Sequence, residues 1–207
     1  MESMFKRYKR YLNYMFEWIF YEKIHGLDFT MRDKSLLDKT HGRFHGYSKT
    51  DSKHCKEIIE NVFMISDNEK LRILDVGCGK GAFIREALKY PFDKVDGIEY
   101  DERLVKIARR NFDILRLSDK VNIFSADATT FSNYGDYNVF YFFNPFEKDI
   151  MDIVVKRIFS ECDKKVVIIL HNPVCADVIE THGGIRIKEL YDSVKSYKTY
   201  IYVCECL

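Results

Sequence analysis

The chain has 207 residues, of which 46% are hydrophobic, and this suits one domain with a sizeable core. Its 33 basic and 32 acidic residues nearly cancel, so no overall charge draws the protein onto nucleic acid. The apolar stretch at residues 12–24 is too short to span a bilayer and no cleavage site follows it. The six cysteines show no disulfide-framework spacing, so we expect a cytoplasmic protein with reduced thiols and no membrane association.

Two helices are predicted in the first third of the chain. Residues 4–24 favour an amphipathic helix, because apolar side chains recur at helical spacing at Phe5, Tyr8, Leu12, Met15, Phe16 and Ile19. Residues 25–50 lack a clear period and are predicted to be mostly loop. A second helix is predicted to begin near Thr50 to Ser52, which are good N-caps. We therefore divide the chain into an N-terminal helical extension or lid, residues 1–50, and a domain over residues 51–207.

The basic side chains of the first helix, at residues 6–10, have two interpretations. They can form a solvated helix face, which we favour, or they can bind RNA phosphates. The aromatic side of the same helix can cover the domain or pair with another subunit.

From residue 71 onward, short apolar strands alternate with amphipathic helices. Strands are predicted at residues 71–76, 94–99, 121–126, 138–143 and 165–171, and helices near residues 81–90, 101–113, 147–160 and 174–182. The fourth and fifth strands are apolar on both faces, as a parallel sheet covered on both sides requires. The alternation predicts an α/β fold with a doubly wound sheet. Residues 185–206 are predicted to be two strands joined by a turn near residues 192–197.

A glycine-rich turn follows the first of these strands, where residues 73–81 read ILDVGCGKG. Glycines allow positive φ angles and let a ligand approach the main chain closely. The helix that follows offers free N–H donors to an anionic group. Such a turn either binds a ligand or is only a tight structural turn, and the neighbouring strand ends decide between these.

Acidic residues occupy three successive strand ends. Glu99 ends the second strand and can accept hydrogen bonds from both hydroxyls of a ribose, whereas Asp127 follows the third strand and can accept one from an adenine amino group. Each of these residues alone can equally be a cap. Because open α/β sheets bind ligands at the carboxyl ends of their strands, Asp75, Glu99 and Asp127 together favour a nucleoside site.

These residues resemble the cofactor-binding signature of class I S-adenosylmethionine (SAM)-dependent methyltransferases. The resemblance runs from residues 75–81 through Glu99 and Asp127 to residues 144–146, and it covers roughly residues 45–207. It implies a Rossmann-like, mostly parallel seven-stranded sheet with an antiparallel C-terminal strand. It also implies an enzyme that converts SAM to S-adenosyl-L-homocysteine (SAH) as it methylates an acceptor.

The resemblance further implies roles for single residues. The turn would hold the methionine part of SAM, Glu99 would hold the ribose, Asp127 and Ala128 would hold the adenine, and Tyr100 would flank its ring. More narrowly, the chain resembles bacterial methyltransferases of unassigned substrate, which share a Tyr-x-x-Thr segment and an Asn-Pro-Phe sequence after the fourth strand. The predicted cofactor-binding residues are therefore Tyr47, Thr50, Asp75, Gly77, Cys78, Gly79, Gly81, Glu99, Tyr100, Asp127, Ala128 and Asn144.

Asn144, Pro145 and Phe146 are the predicted catalytic residues. The Asn side-chain oxygen and the Pro carbonyl can accept hydrogens from an amine and aim its lone pair at the sulfonium. Phe146 can stack on a planar substrate or lie near the cationic sulfur. The sequence resembles the Asn-Pro-Pro-aromatic motif of enzymes that methylate adenine or glutamine nitrogen, but it lacks the second proline. A strand-ending turn with a buried aromatic anchor is the alternative.

Several further questions stay open in the sequence. His171 can be a general base at the end of the fifth strand, although a structural role is favoured. No spacing predicts a metal site, and no strong base stands beside Asn144, which favours a nitrogen acceptor. The acceptor can be a small molecule, a protein or RNA, and the oligomeric state is open. The alternative functions are a non-catalytic SAM-binding interaction module and an NAD-dependent oxidoreductase on a similar fold.

Overall fold

The computed structural model describes residues 12, 15–31, 48–66, 70–194 and 196–206. The strands in these residues are β1 Arg72–Val76, β2 Lys94–Glu99, β3 Ile123–Ser125, β4 Val139–Phe143, β5 Val166–His171, β6 Ile185–Asp192 and β7 Tyr197–Cys204. From residue 48 onward, the described α-helices are α1 Ser52–Ile65, α2 Ala82–Ala87, α3 Glu102–Ile114, α4 Lys148–Glu161 and α5 Ala176–Thr181.

The strands form one seven-stranded sheet in the order β3-β2-β1-β4-β5-β7-β6. The pairs among β1 to β5 are parallel, whereas β7 runs antiparallel to both of its neighbours, β5 and β6. Six strands therefore point one way and β7 points the other. The predicted Rossmann-like α/β fold, with its antiparallel C-terminal strand, is confirmed.

Helices cover both faces of the sheet. On β4, Val139 and Tyr141 face one buried cluster with α1, α2 and α3, while Phe140 and Phe142 face a second buried cluster with α4 and α5. This alternation follows from the period of two in a strand, and it needs apolar residues at every position. The doubly wound arrangement is confirmed by these two clusters.

Two elements are shorter than predicted, for local reasons. The strand predicted over residues 121–126 is shortened to β3, because the main-chain N–H of Asn122 donates to the side-chain carboxylate of Asp96 on β2 at 2.7 Å and not to a main-chain carbonyl of that strand. The helix predicted near residues 81–90 ends at Ala87, and Pro91 soon follows. A proline disfavours helical geometry in the residue before it.

The described part of the N-terminal extension is helical up to His25. A π-helical turn, Glu17–Glu22, leads into a 3-10 turn, Lys23–His25, and Gly26 ends it with a φ of 75°. Residues 1–11, which contain the basic side chains, and most of the predicted loop, residues 32–47, lie outside the described residues. In the part of the chain that the structure does describe, no helix combines the length and apolarity needed to cross a membrane.

Residues 27–31, here called the N-terminal strap, pack onto the domain beside α3. Phe29 is fully buried in the core. The Asn111 side chain of α3 accepts a hydrogen bond from Asp28 N at 2.9 Å, and it donates to the carbonyl oxygens of Asp28 at 3.0 Å and Lys80 at 3.1 Å. One buried amide therefore joins the strap, α3 and the glycine-rich turn.

Replacing Asn111 by Ala is expected to lower the free energy of unfolding by about 2–4 kcal/mol, because a buried side chain loses three hydrogen bonds to the main chain. Urea denaturation monitored by circular dichroism measures this. The control is Asn122→Ala, which removes an exposed side chain whose hydrogen bond to Asp96 is 3.2 Å long. A loss below about 1 kcal/mol in both variants would show that Asn111 does not hold the strap.

Candidate active site

The glycine-rich turn is a left-handed loop folded over β2. Gly77, Gly79 and Gly81 have φ angles of 80°, 55° and 82°. Side chains other than glycine rarely adopt such angles. The main-chain N–H groups of Gly77 and Cys78 both donate to Ile98 O at 2.9 Å, which fastens the turn to the neighbouring strand. The three glycines are thus required by the shape of the turn.

Cys78 is held tightly inside this turn. Its side chain is 5% exposed, and a Cβ on Gly97 would lie 2.8 Å from its sulfur. Its N–H is bonded to Ile98 and its carbonyl accepts from Gly81 N at 2.9 Å. Burial raises the pKa of its thiol well above the usual value, and the charge of Asp75 raises it further. The thiol therefore packs the turn, while its predicted contact with a cofactor stays a prediction.

Two carboxylates lie beside the turn, one buried and one half-buried. Asp75 on β1 is only 4% exposed. Burial raises its pKa well above the usual range, and the nearby charge of Glu99 raises it further. Burial also raises the pKa of Glu99, although N–H groups of Asp101 and Gly79 act in the opposite direction. A cationic group placed between these carboxylates would lower both pKa values.

The acids at the ends of β2 and β3 already have roles in the protein. Glu99 accepts from Gly79 N through Oε2 and from Asp101 N through Oε1, both at 2.9 Å. Asp127 Oδ1 accepts from the N–H and the hydroxyl of Thr129, both at 2.8 Å, and so closes the turn that follows β3. Both carboxylates retain lone pairs for a further donor.

Two other predicted residues lie at the same edge of the sheet. Ala128 is buried, and its carbonyl accepts from the Tyr134 hydroxyl at 2.7 Å. The Tyr100 side chain, which follows Glu99, is 60% exposed. Because this aromatic ring is exposed, one of its faces is accessible to an adenine ring, as the predicted flanking role requires.

Asn144 has an unusual conformation and an unusual environment. It follows β4 with a φ of 39°, which is uncommon for a residue other than glycine. The residue is 8% exposed, and its Oδ1 is buried without a hydrogen-bond partner among the described residues. Native proteins seldom leave a buried carbonyl unpaired, and such groups are typical of functional sites.

Pro145 brings Asn144 against the glycine-rich turn. A Cβ built on Gly77 would lie 2.7 Å from Pro145 Cβ, so the two loops touch at a point where only glycine fits. Phe146 points elsewhere, because its ring is 7% exposed and belongs to the second core cluster. This placement of Phe146 corresponds to the buried aromatic anchor, which was the alternative to stacking on a substrate.

Thr50 reaches the same region from the start of α1. Its hydroxyl lies 2.7 Å from the Tyr141 hydroxyl, and Tyr141 pairs with Asp75 across β4 and β1. The Phe83 ring stacks on Tyr141 with centroids 3.6 Å apart. The predicted partner Tyr47 lies outside the described residues. Thr50 is therefore next to the site, through Tyr141, although its contact with a cofactor stays a prediction.

Lys80 is a site residue that sequence reasoning did not identify. It lies inside the glycine-rich turn and is 2% exposed, and its ammonium donates to Asp28 Oδ2 at 2.6 Å and to Met31 O at 2.9 Å. The lysine among the glycines was the available signal, but its partner is 52 residues away in the chain. Lys80 thus joins the strap to the turn.

His171 is fully buried at the end of β5, and its Nδ1 lies 2.7 Å from the Thr199 hydroxyl. Its Nε2 faces Asp192 Oδ2 at 3.7 Å. This placement agrees with the favoured structural role, because both ring nitrogens face groups of the protein.

Gly77→Ala is expected to lower the free energy of unfolding by about 2–4 kcal/mol, since it adds a clash with Pro145 to the cost of a left-handed alanine. The matched control is Gly183→Ala, where φ is 87° but nothing lies within 4 Å of the new Cβ. The control should cost only about 1–2 kcal/mol, from backbone strain. Equal losses in urea denaturation would contradict a contact between the two loops.

Asp75→Asn is expected to stabilise the ligand-free protein at neutral pH. The folded-state pKa of Asp75 is raised, so folding favours its protonated form, and stability falls as pH rises from the ordinary aspartate value through the folded one. Asparagine removes the free-energy cost of a buried charge, and the stability gained by the variant should shrink as the pH is lowered toward about 4. Melting curves between pH 5 and 8 measure it, with Asp93→Asn at a half-exposed site as control. A variant less stable than the native protein at pH 8 would contradict the buried charge.

Comparison with known proteins identifies the domain. Residues 73–166 match a family model described as a methyltransferase domain. Among curated proteins, a 64-residue segment is 36% identical to a polyamine aminopropyltransferase from Prochlorococcus marinus strain MIT 9312, over 30% of this chain and 23% of that protein. The corresponding protein of strain MIT 9515 is 38% identical over the same shares. The match therefore spans about a quarter of these relatives.

Solved structures share the fold. An RNA methyltransferase from Salinibacter ruber, crystallised with SAH, has a TM-score of 0.56 and 17% identity over 72% of this chain and 90% of its own. Magnesium protoporphyrin IX methyltransferase from Synechocystis PCC 6803, with bound SAM, has a TM-score of 0.56 and 14% identity over 73% of this chain and 77% of its own. Residues 73–166 therefore match the methyltransferase family, and the described part of the chain has the fold of SAM-dependent methyltransferases.

Proposed function

We propose that this protein transfers a methyl group from SAM to a nitrogen atom of its acceptor. The observation that carries the proposal is the buried, unpaired Oδ1 of Asn144, held against the glycine-rich turn through the contact of Pro145 with Gly77. Leaving such an oxygen unpaired costs about 1–3 kcal/mol, which a bound donor would recover.

The unpaired oxygen favours an acceptor that carries N–H groups. Asn144 Oδ1 is acceptor-only, so it binds an N–H and holds the nitrogen in one orientation. A neutral amine nitrogen keeps its lone pair directed away from the N–H that it donates. Asn144 therefore orients a nitrogen so that the lone pair faces the neighbouring turn, which is the geometry that an in-line displacement requires.

The two carboxylates beside the turn suit the charge of the cofactor. SAM supplies an activated methyl on a cationic sulfonium, and it also carries an ammonium group. Asp75 has a raised pKa because of burial and the charge of Glu99, and Glu99 has a raised pKa because of burial and the charge of Asp101. A cation beside them would offset both effects. We assign Asp75 to the ammonium group and Glu99 to the ribose hydroxyls, where its remaining lone pairs accept.

The chain's own part in the reaction is alignment and exclusion of water. Asn144 orients the acceptor, and Pro145 fixes its distance from the turn by packing against Gly77. The buried Phe146 ring holds this loop in the core. A neutral amine need not lose a proton before the methyl group is transferred to it, because the nitrogen can lose its proton after it gains the methyl group.

The acceptor molecule and its compartment are also proposals. The structural relatives methylate RNA or magnesium protoporphyrin IX by their names, so one fold serves different acceptors. We place the protein in the cytoplasm, since none of the six cysteines is in a disulfide. A small molecule, a protein and RNA are all acceptors compatible with the nearly neutral chain.

Alternative functions are separated by ligand binding. An NAD-dependent oxidoreductase would bind NAD and not SAH, whereas a non-catalytic module would bind SAH and transfer nothing. The similarity to polyamine aminopropyltransferases adds a third alternative, transfer of an aminopropyl group, although it covers only 64 residues.

The test uses Asn144→Gly, which removes the unpaired oxygen and keeps a residue suited to positive φ. Its matched control is Asn172→Gly, because Asn172 also has a positive φ, of 54°, and also precedes a proline. Calorimetry should show SAH binding, and no NAD binding, in the native protein and both variants. Label transfer from [methyl-³H]SAM to a cell extract should fall at least about 100-fold in Asn144→Gly alone.

The outcomes decide between the functions. NAD binding without SAH binding would overturn the SAM assignment. SAH binding without any transfer of the methyl label would favour the non-catalytic module or aminopropyl transfer. Equal transfer by the two glycine variants would remove Asn144 from the mechanism.

A further inference from the structure

A chain of buried polar groups crosses the sheet next to Asn144. His54 of α1, Thr199 of β7, His171 of β5 and Asp192 of β6 are each no more than 4% exposed. The Thr199 hydroxyl lies 2.7 Å from His54 Nε2 and 2.7 Å from His171 Nδ1. A carboxylate faces each end of this chain: Glu57 lies 3.3 Å from His54 Nδ1, and Asp192 Oδ2 lies 3.7 Å from His171 Nε2.

The single proton of the hydroxyl gives this chain a direction. Thr199 donates to one histidine and accepts from the other, so one of the two facing ring nitrogens carries a proton and the other does not. A neutral histidine has one N–H, so the choice at Thr199 also decides which nitrogen of each ring faces its carboxylate as a donor.

Burial selects between the two directions. Asp192 is 1% exposed, so its carboxylate depends on His171 Nε2–H and on other groups of the protein. The Glu57 side chain is 50% exposed and is solvated by water. These facts favour His54 Nε2–H donating to Thr199, Thr199 donating to His171 Nδ1, and His171 Nε2–H facing Asp192.

His171, the third group of this chain, lies beside the strand that leads into the loop carrying Asn144. His171 pairs with Phe143 across β5 and β4 and with Thr199 across β5 and β7. The rings of His171 and Phe143 meet edge to face, with centroids 4.3 Å apart. Phe143 precedes Asn144, whose positive φ needs support from its surroundings. Pro145 is held on the other side by Gly77, so Asn144 is fixed from both directions.

We propose that Thr199 and His171 are positioning residues for the acceptor site, and that the Thr199 hydroxyl locks His171 in its Nε2–H tautomer so that Phe143 and Asn144 keep their geometry. This inference rests on the proposed function for its role in methyl transfer. The tautomer and the position of Asn144 do not depend on that function. In this arrangement His171 Nδ1 accepts from Thr199 and Nε2 already carries a proton facing Asp192, so His171 does not remove a proton from the acceptor.

The test compares Thr199→Val, which keeps the shape and removes the hydroxyl, with Thr199→Ser, which keeps the hydroxyl. Long-range ¹H–¹⁵N spectra of the protein without ligand should show His171 with a proton on Nε2 and none on Nδ1. Thr199→Ser should keep this pattern, whereas Thr199→Val should lose it. The side-chain amide resonances of Asn144 should move in Thr199→Val and return in Thr199→Ser. The melting temperature should fall by roughly 5 °C in the valine variant only.

Methyl transfer then tests the positioning role. Label transfer from [methyl-³H]SAM to the same amount of cell extract should fall about 10-fold or more in Thr199→Val. The serine variant should recover it, and SAH affinity should be unchanged in both. A proton on Nδ1 of His171, or an imidazolium, would overturn the assignment. Unmoved Asn144 resonances in Thr199→Val would overturn the positioning role.

The two proposals fail separately. The spectra and the melting curves need neither SAM nor acceptor, so a missing tautomer lock with intact SAH binding counts only against this inference. Absence of SAH binding with the lock in place counts only against the proposed function.

Discussion

The candidate site depends on one close contact, between Gly77 in the glycine-rich turn and Pro145 after β4. A side chain at residue 77 would place its Cβ 2.7 Å from the proline ring, so the two loops approach as far as main chain and ring allow. This contact brings the loop that carries Asn144 against the loop beside Asp75. Neither loop would form a site alone, because one supplies the charge and the other supplies the unpaired oxygen.

Around this contact lie groups whose burial or conformation lowers the stability of the ligand-free protein. Asp75 is buried, Glu99 is half-buried and both have raised pKa values, and Asn144 combines a positive φ with an unpaired Oδ1. Such costs persist where the surrounding structure over-determines them and where a ligand recovers them. The strap, through Asn111 and Lys80, supports the turn from one side. We infer that the buried polar groups of His54, Thr199, His171 and Asp192 support the loop carrying Asn144 from the other.

Local patterns predicted most of the fold. The strands from β1 to β5 and the final hairpin were predictable from apolar runs and from the turn residues that separate them. Asp75, Glu99 and Asp127 lie at strand ends, as their sequence positions indicated. The contacts that support the site were not predictable in this way. Asn111 meets Asp28 across 83 residues of chain, and His54 meets Thr199 across 145 residues. No periodic pattern in the local sequence predicts such long-range pairs, because they depend on the order of the strands in the folded sheet.

A crystal structure of the protein with SAH tests the central claim most directly. We expect the ribose hydroxyls within hydrogen-bonding distance of the Glu99 carboxylate, the amino group of the ligand beside Asp75, and its sulfur facing Asn144 across the contact of Gly77 with Pro145. A ligand whose sugar does not reach Glu99, or whose sulfur lies away from Asn144, would contradict a methyl-transfer site formed by these two loops.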